Sequence, residues 1–223
     1  MISTYGCFGL LVAATAMGCG GDAGPRAATD APPRPAAERG RILFLGTSLT
    51  AGLGVDPSQA YPALIQAKLD SARLPYQAVN AGVSGETSAG ALRRVDWLLR
   101  QPVSVLVIET GANDGLRGLS PDSMRANIQA IIDRANQQSP KPKIVLAGMR
   151  ALPNYGLDYA RRFRDVYSDL AEKNDLPLVP FLLQDVAGLG DKNQADMVHP
   201  NPSGHRVIAE NVWKVLEPVL DGR

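Results

Sequence analysis

The sequence predicts an α/β fold, a three-layer α/β/α sandwich on a five-stranded parallel sheet with flavodoxin-like topology. Three observations predict it. Five short apolar runs read as strands buried on both faces. Amphipathic stretches of helical period separate them, which is the alternation that builds a parallel sheet covered by helices. A cluster of polar residues and glycines follows every run, and open parallel sheets form their sites beyond the carboxyl ends of the strands.

The first forty residues stand apart. Tyr5 to Met17 is a mostly apolar run of small and aliphatic residues. It is shorter than the roughly twenty residues a membrane-spanning helix needs. It fits the hydrophobic region of an export signal, with the departure that no Lys or Arg precedes Arg26. Two endings are legible. Ala14-Thr15-Ala16 is a small-x-small cleavage site. Ala16-Met17-Gly18-Cys19 resembles a bacterial lipobox, in which Cys19 would be lipidated. Residues 20–40 are rich in Gly, Ala and Pro and read as a flexible tether, which suits a lipid anchor. The expectation is a signal peptide over 1–19, a linker over 20–40 and one globular domain over 41–223. The protein would be exported, either periplasmic or held at the membrane as a lipoprotein.

The first strand is expected at 41–45, followed by Gly46-Thr47-Ser48-Leu49. Tyr61, Leu64, Ile65 and Leu69 then share one helical face. The second strand, 76–79, leads into Asn80-Ala81-Gly82-Val83-Ser84-Gly85-Glu86, and Leu92, Val95, Leu98 and Leu99 mark the next helix. The third strand, 103–108, leads into Thr110-Gly111-Ala112-Asn113-Asp114-Gly115. Ser120-Pro121 then opens a helix carrying Met124, Ile128, Ile131, Ile132 and Ala135, with serine as cap and proline at the first helical position. The fourth strand, 143–147, precedes the loop Arg150 to Gly156 and a helix with Tyr159, Phe163, Val166, Tyr167 and Leu170. The fifth, 178–181, precedes the loop holding Asp196 and His199, and Ile208, Val212, Val215, Leu216 and Val219 form the last helix.

Composition excludes several classes. A domain of about 180 residues buries a core without covalent staples. The net charge of +1 provides no steering toward nucleic acid, and any membrane contact would come only through the N-terminal anchor. Both cysteines, Cys7 and Cys19, precede the domain, so it has no disulfide framework, thiolate zinc site or cysteine nucleophile. Two histidines and no carboxylate cluster at ligand spacing imply no metal centre. Gly52-Leu53-Gly54 lacks the third glycine of a dinucleotide fingerprint, and Gly46 to Gly52 lacks the Lys-Ser/Thr of a P-loop, so no cofactor is implied. A monomer is the expectation.

The chemistry centres on Ala195-Asp196-Met197-Val198-His199-Pro200. A carboxylate that holds an imidazole is two-thirds of a nucleophilic hydrolase, and Ser48, on the turn after the first strand, would be the third member. Ser48 attacks, His199 is the base and then the acid, and Asp196 holds the tautomer. Pro200 limits the loop's freedom. The oxyanion would be met by the backbone N–H of Ser48 and of Gly82 and by the Asn113 side-chain amide. Glu86, Asp114, Asp185 and Asp191 could compete as the orienting acid; Asp114 reads instead as bracing its own turn. His205 reads as a structural residue at a helix start.

These blocks closely resemble the SGNH (GDSL) hydrolases, whose four signature residues would here be Ser48, Gly82, Asn113 and His199. The resemblance covers about residues 41–220. Asn80 to Thr87, Gly111 to Gly118 and Leu152-Pro153-Asn154-Tyr155-Gly156 are similar to the bacterial thioesterase I, lysophospholipase L1 and arylesterase branch. The resemblance implies a metal-free Ser-His-Asp esterase with broad action on acyl esters and thioesters, often in the periplasm. It also implies Leu152, Pro153 and Tyr155 as contacts of the acyl chain. One departure is clear: the family's Gly-Asp-Ser-Leu is Gly46-Thr47-Ser48-Leu49 here. Threonine can still hydrogen-bond nearby backbone but brings no charge. The swap motivates an alternative, a non-catalytic lipoprotein binding acyl chains or glycans, and the same triad could also deacetylate a polysaccharide.

Overall fold

The computed structural model describes residues 39–222. The expected signal segment, Cys19 and the linker up to residue 38 lie outside the described residues. β1 (Gly40–Gly46) is an inner strand of a parallel sheet with β2 (Tyr76–Gly82), β3 (Val105–Glu109), β4 (Lys143–Ala147) and β5 (Leu178–Val179), in the order β2-β1-β3-β4-β5. This is the flavodoxin-like order expected from the strand and helix alternation. The helices are α1 (Ser48–Ala51), α2 (Tyr61–Ser71), α3 (Ser88–Leu98), α4 (Ala112–Leu116), α5 (Pro121–Asn136), α6 (Leu157–Asn174) and α7 (Pro202–Leu220). α2 packs on α7, and α3, α5 and α6 form a second group, so helices flank the sheet in two layers.

The central strands supply the core. Ile42 to Leu45, Leu106 to Ile108 and Val145 to Ala147 are fully buried. Each such large aliphatic side chain contributes about 1.5–3 kcal/mol by leaving water. β2 departs from the expected burial on both faces and is only half-covered, because it is an edge strand. β5 is two residues long instead of four. Pro180 has no N–H to offer a ladder; the chain nonetheless stays alongside β4 through Gly148 N–H to Val179 O and Leu182 N–H to Gly148 O, both 2.8 Å.

Register places the site. Gly46 pairs with Gly82, and Leu45 pairs with Ile108. The segments after β1, β2 and β3 therefore leave the sheet side by side. α5 begins as expected, with the Ser120 hydroxyl accepting from Ser123 N–H and Pro121 in the first turn. Among the described residues, no helix is long and apolar enough to cross a membrane.

Candidate active site

Ser48 is the first residue of α1, a four-residue helix that forms the turn expected after the first strand. Its N–H belongs to the first turn and so has no partner within the helix. Gly52 ends the helix in the left-handed region, with φ 75°. The close of β2 lies flush on this helix: a Cβ on Gly82 would land on the backbone nitrogen of Ala51 and 2.8 Å from Thr47 O. Glycine is required there by close approach of two backbones.

Across the turn, His199 Nε2 lies 3.0 Å from Ser48 Oγ, and His199 Nδ1 lies 2.6 Å from Asp196 Oδ2. The other carboxylate oxygen of Asp196 accepts from the N–H of Val198 and of His199, both at 2.9 Å. The His199 N–H, then its ring, then the Val198 N–H hold the Asp196 carboxyl down at about 2. An ionised carboxylate only accepts, so Nδ1 carries the proton of the neutral ring. Nε2 is then the acceptor that faces the Ser48 hydroxyl. The loop closes on itself through Gln194 N–H to His199 O at 2.7 Å and Met197 N–H to Gln194 O at 2.9 Å. Asn201, the cap of α7, pins its far end.

The other predicted donors sit on two segments braced against each other. Asn113, in α4, gives one amide hydrogen to Glu86 O at 3.0 Å and also lines the cleft. Gly82 ends β2, and its N–H donates to Asn80 Oδ1 at 2.9 Å. Asp114 is buried and takes both the N–H and the hydroxyl of Ser88, at 2.8 and 2.6 Å. It thus anchors the start of α3 rather than only its own turn. The Arg94 guanidinium holds Glu86 with both Nε and Nη2 and reaches Gly46 O at 3.2 Å. Arg117 donates to Gly85 O at 2.8 Å.

Ser48 and His199 open onto a cavity of about 250 Å³. Leu49, Leu53, Leu116, Met149, Leu152 and Val198 make much of its wall apolar. Leu152 is therefore at the cleft, whereas Pro153 and Tyr155 lie outside its lining. Pro153–Tyr155 is a single 3₁₀ turn. The Tyr155 hydroxyl reaches Leu116 O at 3.4 Å, and its ring packs against Tyr159. His205 is buried in the first turns of α7 with Nδ1 accepting from Tyr61 N–H at 3.3 Å, and burial lowers it to about 4. Among the described residues, no group of three or more His, Cys, Asp or Glu is placed to hold a metal.

One buried network was not foreseen. Glu109, the last residue of β3, is fully buried and bonds Thr47 and Thr50. A lone charge at the end of Val105-Leu106-Val107-Ile108 was the signal that could have pointed to it.

A serine within reach of an imidazole, itself held by a carboxylate, at the carboxyl edge of a parallel sheet is the arrangement of a serine ester hydrolase. The chain belongs to the GDSL-like lipase/acylhydrolase family, whose model matches residues 44–207. It falls in the thioesterase, lysophospholipase and arylesterase branch. It is 39% identical over 180 residues to esterase TesA of Pseudomonas aeruginosa, covering 80% of this chain and 89% of that protein. It is 37% identical over 188 residues to thioesterase 1/protease 1/lysophospholipase L1 of Escherichia coli strain K12, covering 83% and 88%. The crystal structure of the psychrotrophic esterase EstA from Pseudoalteromonas sp., inhibited by monoethylphosphonate, matches with a TM-score of 0.75 at 34% identity. That match covers 81% of this chain and 98% of that one.

Proposed function

We propose that this chain hydrolyses aryl and short- to medium-chain acyl esters through Ser48, His199 and Asp196. Thioesters and lysophospholipids are further substrates of the same class. Ser48 Oγ attacks the ester carbon while its proton passes to His199 Nε2. The new oxyanion is met by the Ser48 N–H and the Asn113 amide, joined by the Gly82 N–H once it turns from Asn80. Collapse of the intermediate expels the alcohol, which takes the proton from His199. Water, deprotonated by the same ring, then releases the acid and restores Ser48.

The observation that carries this reading is the 3.0 Å contact between Ser48 Oγ and an imidazole whose far nitrogen bonds a carboxylate. The apolar wall of the cleft favours acyl chains over a polysaccharide. Thr47 motivated a binding-only alternative, but its hydroxyl is buried against Glu109 and off the cleft, while Ser48 keeps its base. The relative EstA is described as inhibited by a phosphonate, the chemistry of serine-directed probes. Ser48→Ala is expected to abolish both turnover of a p-nitrophenyl ester and labelling by a fluorophosphonate. Wild-type turnover in that variant would reject the reading. Export, with lipidation at Cys19, belongs to the same proposal, and diacylglycerol on Cys19 in mass spectra of the mature N-terminus would test it.

A further inference from the structure

Glu109 takes no part in the chemistry above, yet its partners lie around the nucleophile. Oε2 accepts from Thr47 N–H at 2.7 Å and from the Thr50 hydroxyl at 2.8 Å, and Oε1 accepts from the Thr47 hydroxyl at 2.9 Å. Thr47 immediately precedes Ser48, and Thr50 lies within the same helical turn. One carboxylate therefore grips the nucleophile's turn from both sides. Thr47 sits at the cap position of α1 but makes no cap bond with its side chain, because the hydroxyl that usually serves as a cap is committed to Glu109. The Tyr61 hydroxyl, 2.7 Å from Thr50 Oγ1, extends the network to α2.

Burial pushes the Glu109 carboxyl up to about 7, with the bonds from Thr47 and Thr50 acting the other way. An apolar residue in its place would leave one N–H and two hydroxyls without that acceptor. Resting on the triad reading, we infer that Glu109 is a positioning residue for Ser48: through Thr47 and Thr50 it sets the rotation of the turn, so that Oγ faces His199. A hydroxyl at position 47 completes the grip by donating to Glu109 without adding a second charge.

The test compares wild type with Glu109→Leu, Glu109→Gln, Thr47→Val and Thr47→Ser. Each is measured for kcat and KM on a p-nitrophenyl ester, for the fluorophosphonate labelling rate of Ser48, and for thermal unfolding. Glutamine can keep its oxygen at the Oε2 position and turn its amide to the Thr47 hydroxyl. Glu109→Leu is expected to lower kcat and labelling by about 100-fold, the scale of an ångström of misplacement, with KM held. Glu109→Gln should recover both to within roughly fivefold of wild type. Thr47→Val should lose about tenfold and Thr47→Ser almost nothing. A folded Glu109→Leu or Thr47→Val that labels and turns over like wild type overturns the inference. So does a loss confined to KM, or a Glu109→Gln as impaired as the leucine variant. If Glu109→Leu does not fold, Thr47→Val, which removes one hydroxyl only, decides by the same readouts. A wild type that neither labels nor turns over overturns the triad reading as well, so the two failures are distinct.

Discussion

His199 Nε2 stands 3.0 Å from Ser48 Oγ although 151 positions separate the two residues. The contact joins the segment after β1, an inner strand, to the segment after β5, the edge strand three places along the sheet. Gln194 helps hold the two together: its amide donates to Leu53 O, just past α1, at 2.7 Å and to Pro200 O at 2.9 Å.

Asp196→Asn tests the orienting role. The asparagine oxygen could keep the bonds from Val198 and His199, but its amide would donate to Nδ1. The ring would then carry its proton on Nε2 and could not accept from Ser48. A fall in kcat of about 10⁴ at neutral pH is expected, with KM little changed. Because the native carboxyl sits near 2, lowered from its ordinary 3.8, whatever stability it adds is present above that ordinary value and lost only as pH falls toward 2. An acid limb of activity near neutrality would therefore not come from Asp196. A loss in kcat of under tenfold would reject the assignment.

Gly82→Ala places a methyl group onto the backbone of α1. Neither backbone can yield freely, so overpacking of about 1–3 kcal/mol is expected, together with a lower kcat from the displaced turn. Urea unfolding and ester kinetics read the two effects. Unchanged values in both would show that α1 moves aside without consequence.

Glu109 has a signature in stability against pH. Its folded value near 7 exceeds the ordinary 4.5, so the unfolded chain releases this proton first as pH rises. Stability should fall by roughly 3 kcal/mol between pH 4.5 and 7 on this account, and stay level above. His205 acts oppositely: the unfolded ring protonates below 6.5 while the folded one stays neutral to about 4, so stability is lost as pH falls through that window. Comparing Glu109→Gln with wild type isolates the Glu109 slope. Urea unfolding at pH 5 and pH 8 should give a smaller fall in the variant, and equal falls would reject the shift.

Chain-length preference should follow the cleft wall. Leu116 and Leu152 line it and are both exposed. Leu116→Ala combined with Leu152→Ala removes apolar surface from the cleft wall, which a longer acyl chain would bury. The kcat/KM for an octanoyl ester should drop about 3–10-fold, with the acetyl ester within about twofold of wild type. An equal drop for both esters would mean that these leucines do not touch the chain.

The alternation of strands and helices, the edge at which the loops gather, and the meeting of Ser48, Asn113 and His199 at one cleft were legible because each element reports a local pattern. An apolar run marks a buried strand, and a polar cluster after it marks the site edge. Asp196 was legible because the loop carries both partners within four residues. Other features were not legible. β2 runs on through Asn80 to Gly82, so a residue read as part of a loop is a strand end whose N–H bonds Asn80. Leu152 reaches the cleft while Tyr155, three positions on, packs toward Tyr159 and Leu116. Asp114 braces the start of α3, 26 positions away.

The sequence by itself determined what repeats at short range: the period of each element, the cap of α5, the family motifs and the pairing of Asp196 with His199. The tertiary structure decided what depends on which distant atoms arrive. Glu109 is a single charge closing an apolar strand until Thr47 and Thr50, 62 and 59 positions away, bring it three donors. The reason is physical. Hydrophobic period is written along the chain, whereas a buried carboxylate is tolerated only where folding supplies its hydrogen bonds.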